Sequence, residues 1–217
     1  MELSVAEENY IKAIYGLRQP VVATNTIAQV IETKASSVTD MLQKLAEKNL
    51  VNYVKYKGVS LTETGEQVAL NTLRKHRLWE VFLVEKLGFG WDEVHDIAEQ
   101  LEHIRSEKLT EKLDTFLGSP NFDPHGDPIP NSNGQMPSHS LKNLSECSPG
   151  QTVIIERVKD GNPAFLQYLE RVNLTIGDTL VVTDFLPFDN SMEVLLPNQV
   201  KLILSTTVTQ NLYIRHI

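Results

Sequence analysis

The sequence predicts a mainly α protein with α+β character, and three observations carry that assignment. Apolar residues recur at helical spacing as far as Leu117, interrupted once by an alternating stretch with a turn; a Pro-, Asn- and Gly-rich segment follows; short β-favouring runs fill the remainder.

Ser4 and Glu7 form a capping-box pair ahead of Tyr10, Ile11, Ile14 and Leu17, a helical stripe that Gln19-Pro20 ends. A second, short helix reads with Thr24 as its cap and Ile27, Ala28, Val30 and Ile31 behind it. A third opens near Ala35-Ser36-Ser37, carries Val38, Met41, Leu42 and Leu45, and closes at Asn49. Residues 51–62 alternate around Lys57-Gly58 and predict a hairpin. Three helices and then a β-wing is the order of a winged helix-turn-helix.

One long helix fits residues 63–87 with Gly88 as its stop, a second fits 92–104, and a shorter one fits 107–117. Amphipathic helices behind a winged helix predict a dimer interface. Pro120, Pro124, Pro128, Pro130 and Pro137 make residues 118–140 a linker or ordered loop with a domain boundary. Beyond it, residues 152–158, 179–185, 193–196 and 201–204 read as strands, with a helix over 163–171 and a turn at Gly177-Asp178, which predicts a small β-barrel.

Composition narrows the function. The 217 residues are 41% hydrophobic and 22% charged, ordinary for a soluble globular chain. No apolar run reaches the roughly 18 residues of a membrane span and no secretory pattern opens the chain, so a cytoplasmic protein without a membrane partner is expected. The single Cys147, read as an incidental residue of a polar linker, excludes an internal disulfide and a thiolate-rich zinc site. A net charge of −8 opposes DNA binding when taken globally. Between residues 33 and 60, however, Lys34, Lys44, Lys48, Lys55 and Lys57 face only Asp40 and Glu47. A locally basic head on an acidic body binds DNA weakly by default, which suits a switch thrown by a cation.

The residues that carry chemistry lie on the two helices after the wing. His95, Glu99, Glu102 and His103 fall within about a 100° arc of one helix face, beside a core stripe of Val94, Ile97, Ala98, Leu101 and Ile104. His76 and Glu80 stand four apart on the preceding helix, so two antiparallel helices can offer six imidazole and carboxylate ligands to one gap. Singly, Glu99 or Glu102 reads as a solvated face and His76 with Glu80 as an exposed pair; together they point to a metal. The sulfur-free set suits Mn(II), Fe(II), Co(II) or Zn(II), and its carboxylates favour the first two. There is no His-Glu-x-x-His segment or nucleophile elbow, so a metal-dependent hydrolase is disfavoured and neither an enzyme nor a small organic substrate is expected. A regulator answering an organic effector or a protein partner is the alternative.

The run Arg74-Lys75-His76-Arg77-Leu78-Trp79-Glu80, with Val94-His95 and Leu101-Glu102-His103, resembles the signature of the diphtheria toxin repressor and manganese transport regulator family of metal-dependent transcriptional repressors. The resemblance covers nearly the whole chain, since Ile176-Gly177-Asp178 and its flanking strands are similar to the SH3-like third domain of longer members. It implies a homodimer on double-stranded operator DNA with two Mn(II) or Fe(II) sites per subunit. One site would use Glu99, Glu102 and His103, with His76 at hand and a ligand from helix one; the other would use Glu80, His95 or His76, and groups from the loop and third domain. The helix-one ligand, Asp or Met in relatives, aligns with Asn9, which leaves Glu8 or the Asn9 amide oxygen. The loop motif Cys-Pro-His-Gly of manganese-sensing relatives is Asp123-Pro124-His125-Gly126 here, so His125 carries over and Asp123 replaces sulfur by oxygen. Asp160 matches a further ligand position. Glu99 stands where the iron-responsive branch has Cys, which favours manganese-type chemistry. The expected division is a winged helix-turn-helix over 1–62, a helical metal-binding and dimerisation domain over 63–138, and an SH3-like β-barrel over 139–217.

With helix three as the recognition helix, Lys34, Ala35, Ser36, Ser37, Thr39 and Asp40 would lie along the major groove and Lys44 near the backbone. Thr24, Asn25 and Thr26, with Lys55 and Lys57 on the wing, are candidate phosphate contacts. Without metal, Glu8, Glu80, Glu99 and Glu102 are expected to repel one another and leave helix one loosely docked until a cation enters.

Overall fold

The computed structural model describes residues 2–138, 141–159 and 161–217. Its first helix, α1 (Val5–Gly16), opens on the expected capping box: the Ser4 N–H donates to the Glu7 carboxylate at 2.8 Å and the Glu7 N–H donates to the Ser4 hydroxyl at 3.3 Å. Helices α2 (Thr24–Val30) and α3 (Ala35–Glu47) follow. Ala23 precedes α2 and makes no side-chain cap, so Thr24 is the first helical residue and not the cap that its hydroxyl suggests. Asn49, at φ 56°, turns the chain into β1 (Val51–Val54), which pairs antiparallel with β2 (Gly58–Leu61). Tyr56 takes the left-handed position in the turn, one place before Lys57-Gly58. Gly58 has a second duty: a Cβ there would stand 2.6 Å from the Val22 carbonyl, where residue 22 bridges to Val59 and lengthens the wing. Ile11, Ile27, Val38, Leu42, Leu45, Leu50 and Val59 are buried together beneath these elements.

Helix α4 (Glu63–Leu87) starts where the Thr62 hydroxyl accepts from the Gly65 N–H and ends at Gly88, left-handed at φ 73°. It runs from the head into the middle of the molecule. Leu78 and Val81 pack there against Leu113 of α6 (Glu107–Phe116) and Ile129, while Leu83 meets Val94 and Ala98 of α5 (Val94–Leu101). Helix α5 is shorter than the sequence predicts. Residues 91–93 form a turn before it, and the Ile104 N–H closes on Leu101 after it, which leaves Glu102 and His103 just past its end.

The Pro-rich stretch is an ordered loop on α4. Arg74 donates to the Pro130 carbonyl at 2.7 Å and pairs with Asp114 at 3.0 Å, and Arg77 donates to the Pro128 carbonyl. Buried guanidinium groups thus satisfy carbonyls that a proline-rich segment cannot pair in a ladder.

Beyond the loop, β3 (Lys142–Asn143), β4 (Thr152–Val158), β5 (Thr179–Leu186), β6 (Ser191–Leu195), β7 (Lys201–Leu204) and β8 (Leu212–His216) form an antiparallel sheet in the order β3-β8-β4-β5-β6-β7. Register shifts at Ile155/Arg157 and Val182/Asp184 bend it, as bulges do. Helices α7 (Pro163–Arg171) and α8 (Thr206–Gln210) complete the unit. The sequence reading lacks β3, α8 and β8, yet β8 is the partner of β4. Cys147 does not lie in a polar linker: it is buried in this core with Leu144, and burial pushes its thiol pKa up. No helix among the described residues is long and apolar enough to cross a membrane.

Candidate metal centre

Helix periodicity turns His76 and Glu80 of α4 toward α5, and both are buried. Ligand atoms of His76, Glu99 and Glu102 lie within 4.8 Å of one another, as do those of His76, Glu80 and His95, and those of Glu80, Asp123 and His125. The three groups share His76 and Glu80, so seven of the anticipated ligands form one connected cluster. His76 Nδ1 is 2.6 Å from Glu102 Oε2, and its Nε2 is 3.0 Å from Glu80 Oε1. His95 stands at the rim, 61% exposed, 3.6 Å from Glu80 and 3.8 Å from Glu99.

The helix-one side of the cluster departs from the expected ligand set. Glu8 Oε2 is 2.5 Å from His103 Nδ1, and His103 Nε2 is 3.7 Å from Glu102, so His103 is turned toward α1 and away from the grouping of His76 with Glu99. Asn9 Oδ1 and His103 Nε2 are buried without a hydrogen-bond partner. Lys12 enters from the same helix. Its ammonium donates to Glu99 at 2.6 Å and to both oxygens of Glu102 at 2.8 and 2.7 Å. The expected mutual repulsion of the carboxylates is therefore offset by cross-links: Lys12 bridges Glu99 and Glu102 and holds α1 against the end of α5, His76 meets Glu80 and Glu102, and His103 meets Glu8.

Asp123 is placed by its own loop. One carboxylate oxygen accepts from the N–H groups of His125 and Asp127, at 2.8 and 2.9 Å, and the other faces Arg77 at 3.5 Å. His125 Nε2 is 2.8 Å from the Trp91 carbonyl, and its ring stacks on Trp91 at 6.2 Å. That orientation leaves Nδ1 facing Glu80 at 3.9 Å. Gly126 lets the loop touch the third unit: a Cβ there would meet the Glu156 carbonyl at 2.1 Å. Asp160 lies outside the described residues.

Charge in the cluster is strongly coupled. Burial alone would lower the His76 pKa, but hydrogen bonds to Glu102 and Glu80 outweigh it and push it up to about 9. Burial would raise Glu80 and Glu99; hydrogen bonds from His76 and His95 to the first, and from Lys12 to the second, hold both below the usual carboxylate range. Asp123 goes the other way. Burial, then the charges of Glu80 and Asp127, raise it well above an ordinary aspartate, against the pull of Arg77. Imidazoles and carboxylates without sulfur, with two orphaned buried donors beside them, suit a hard to borderline divalent ion.

Comparison with known proteins places the chain among metal-dependent repressors. The family model of the iron dependent repressor N-terminal DNA binding domain matches residues 2–59, that of the iron dependent repressor metal binding and dimerisation domain matches 62–131, and that of the FeoA domain matches 142–216. A solved structure described as a manganese-dependent transcriptional repressor complex with manganese is 35% identical, with a TM-score of 0.85 over 97% of this chain and 100% of that one. The chain belongs to the diphtheria toxin repressor and manganese transport regulator family. Among sequence relatives, the iron-dependent repressor IdeR of Mycobacterium tuberculosis is 33% identical over 131 residues, 59% of this chain and 57% of that protein. The diphtheria toxin repressor of Corynebacterium diphtheriae is 27% identical over 190 residues, 82% of this chain and 84% of its own. The match thus spans little more than half of the mycobacterial protein, while the solved neighbour is covered end to end. The family fold is a DNA-binding head, a helical dimerisation unit and an SH3-like FeoA domain.

On the head, Lys34, Ala35, Ser36, Ser37, Asp40 and Lys44 form an exposed edge of α3. Thr39 is half-buried, and its hydroxyl donates back to the Ala35 carbonyl at 3.0 Å, so its donor is committed within the helix. Asn25 is exposed, with Thr24 and Thr26 half-buried on either side. Lys55 and Lys57 are exposed at the wing tip, where the Lys55 ammonium sits 5.2 Å from the ring centre of Tyr56. Lys48, counted in the basic stretch, pairs with Glu7 at 2.6 Å.

Sequence reasoning misses Lys12, Arg77 and Tyr56. A lysine four residues before the end of an amphipathic helix reads as solvated surface, and Arg77 as part of a charged run. Only the wing leaves a signal in retrospect: an aromatic residue between two lysines at a hairpin tip.

Proposed function

We propose that this chain is a transcriptional repressor that senses Mn(II), or Fe(II) in its place, and grips double-stranded operator DNA as a homodimer in the cytoplasm when the metal is bound. One observation carries the proposal: imidazole and carboxylate donors from α4, α5 and the Pro-rich loop converge where α1 of the head meets them, so a metal there would be felt by the DNA-reading unit. The division into residues 1–62, 63–138 and 139–217 belongs to the same proposal and is supported by the three matched family models.

His76, Glu99 and Glu102 would hold one ion, with Asn9 or Glu8 and His103 beside them; Glu80, Asp123 and His125 would hold a second, with His95 at its rim and Asp160 as a further candidate. Bound metal supplies positive charge and a fixed coordination sphere. Glu102 orients His76, Trp91 fixes the His125 ring, and Asp123 lies ready on its loop through two backbone N–H groups. The absence of sulfur favours manganese or iron over a thiolate-seeking ion, in line with the manganese in the neighbouring solved structure. On DNA, the N-terminal half of α3 would enter the major groove while Asn25, Lys44, Lys55 and Lys57, with Thr24 and Thr26, meet phosphates.

The test is fluorescence anisotropy at fixed salt, with duplexes enriched by the manganese-loaded protein from a random pool and a panel of Mn(II), Fe(II), Co(II), Zn(II) and chelator. Affinity with Mn(II) or Fe(II) should exceed the chelated value by roughly 5 to 150-fold. Equal affinity under all conditions would reject the proposal.

A further inference from the structure

We propose that Lys12 is a tethered competitor of the metal: its ammonium occupies the Glu99/Glu102 carboxylate pair in the metal-free protein, and an ion binds there only by displacing it. The inference rests on the metal-sensing reading above and adds the device that sets its threshold.

An ammonium has three N–H donors, and here all three are spent on would-be metal ligands: one on Glu99 at 2.6 Å and two on the fully buried carboxylate of Glu102 at 2.8 and 2.7 Å. Those oxygens belong to the grouping in which His76, Glu99 and Glu102 approach within 4.8 Å. A divalent ion and an ammonium sharing the same three oxygens would be like charges in contact at a poorly solvated position, and the site cannot keep both. Binding is therefore an exchange of cations, and an exit exists. Lys12 also lines the cleft that holds Asn9, His76, Glu80, His95 and Glu99, so its flexible stem can swing the ammonium toward water there.

Two consequences follow from the tether. Its effective concentration is fixed by the chain, so every incoming ion faces the same competitor; a divalent ion that binds imidazole and carboxylate strongly prevails, whereas one that dehydrates reluctantly, such as Mg(II), is held off. Asn9 lies three residues before Lys12 on the same face of α1, and its Oδ1 is buried without a partner. An ion that expels the ammonium finds a new oxygen donor on the very helix the ammonium had held. The head is thus tied to α5 in both states, first through the long arm of Lys12 and then through shorter donors, and the switch is a change of tie in place of the release that simple carboxylate repulsion predicts.

Calorimetric titration of Mn(II) into the full-length chain decides the matter, with Lys12→Met, which keeps the stem and removes the charge, compared with the unaltered protein. Lys12→Gln is titrated in parallel so that poor folding of the first variant leaves the comparison intact. The neutral variants should bind Mn(II) about tenfold or more tightly, and their thermal midpoints should fall in chelator and recover with Mn(II). Unchanged or weaker Mn(II) binding in the variants, with binding intact in the unaltered protein, overturns the role of Lys12 alone. No binding in any of the three overturns the metal-sensing reading with it.

Discussion

Nδ1 of His76 lies 2.6 Å from Oε2 of Glu102, joining α4 to the end of α5 at a fully buried carboxylate. Glu102 also accepts from Lys12, so one side chain connects the long central helix, the metal cluster and α1 of the head. Glu102→Gln keeps the shape and removes the charge that a metal needs. Stimulation of DNA binding by Mn(II) should disappear, a loss of roughly 5 to 150-fold in affinity, while circular dichroism and the dimer measured by sedimentation stay unchanged. A preserved metal response in this variant would remove Glu102 from the centre of the switch.

The raised His76 pKa fixes the sign of a pH effect on the metal-free protein. His76 titrates near 6.5 when unfolded and near 9 when folded, because Glu102 and Glu80 outweigh the effect of burial. Its protonated form is favoured by folding, so the contribution is complete below about pH 6.5, declines as pH rises, and is gone above about pH 9. The span is on the order of 3 kcal/mol. Glu80 acts oppositely: its lowered pKa gives stability that is present above about pH 4.5 and lost in acid. Thermal midpoints in chelator from pH 5.5 to 9.5 should fall across the upper half of that range, and His76→Asn should flatten the decline.

Arg77 is the hidden support of the second ligand group. Its guanidinium donates to the Pro128 carbonyl and faces the buried Asp123 at 3.5 Å. Arg77→Met would leave Asp123 buried without its cation and the Pro128 carbonyl short of a donor. Removing one member of a buried pair costs about 3 to 5 kcal/mol. Urea unfolding should show that loss, and the stoichiometry of Mn(II) binding should fall toward one site per chain as Asp123 becomes protonated.

The helical part of this architecture was legible because its signals are local. The capping box at Ser4 and Glu7, the stripe of α3 and the Gly88 stop each fix an element within one or two turns. The spacing of His76 and Glu80, and of Glu99 and Glu102, likewise follows from helix geometry. What escaped depends on contacts distant in sequence. β8 is defined by pairing with β4, from Val153↔His216 to Val158↔Leu212, and its own residues give little periodic signal. Lys12 meets carboxylates some ninety positions away, and Arg77 meets a loop about fifty residues on. His103 carries a ligand's identity, yet turns its Nδ1 to Glu8: Glu102 keeps helical dihedrals as the cap of α5 and stays in the cluster, and His103 lies one residue beyond it. Cys147 shows the limit of reading composition, since polar neighbours in sequence surround a side chain that faces the core.

The basic stretch of the head divides into lysines free to meet phosphate and one that is not. Lys44 on α3 and Lys57 on the wing are exposed, whereas Lys48 is held by Glu7 at 2.6 Å, its ammonium committed to the first turn of α1. Each lysine that neutralises a phosphate releases a counterion, so Lys44→Ala and Lys57→Ala should each lower the slope of log affinity against log salt by about 1. Their weakening of binding should be nearly the same for every duplex, since phosphates carry no sequence. Lys48→Ala should leave the slope unchanged, and the loss of a partly exposed ion pair should cost the head no more than about 1 kcal/mol. Anisotropy at four salt concentrations with the three variants measures this. A slope that falls for Lys48→Ala and holds for Lys44→Ala would mean that α3 enters the groove by another edge.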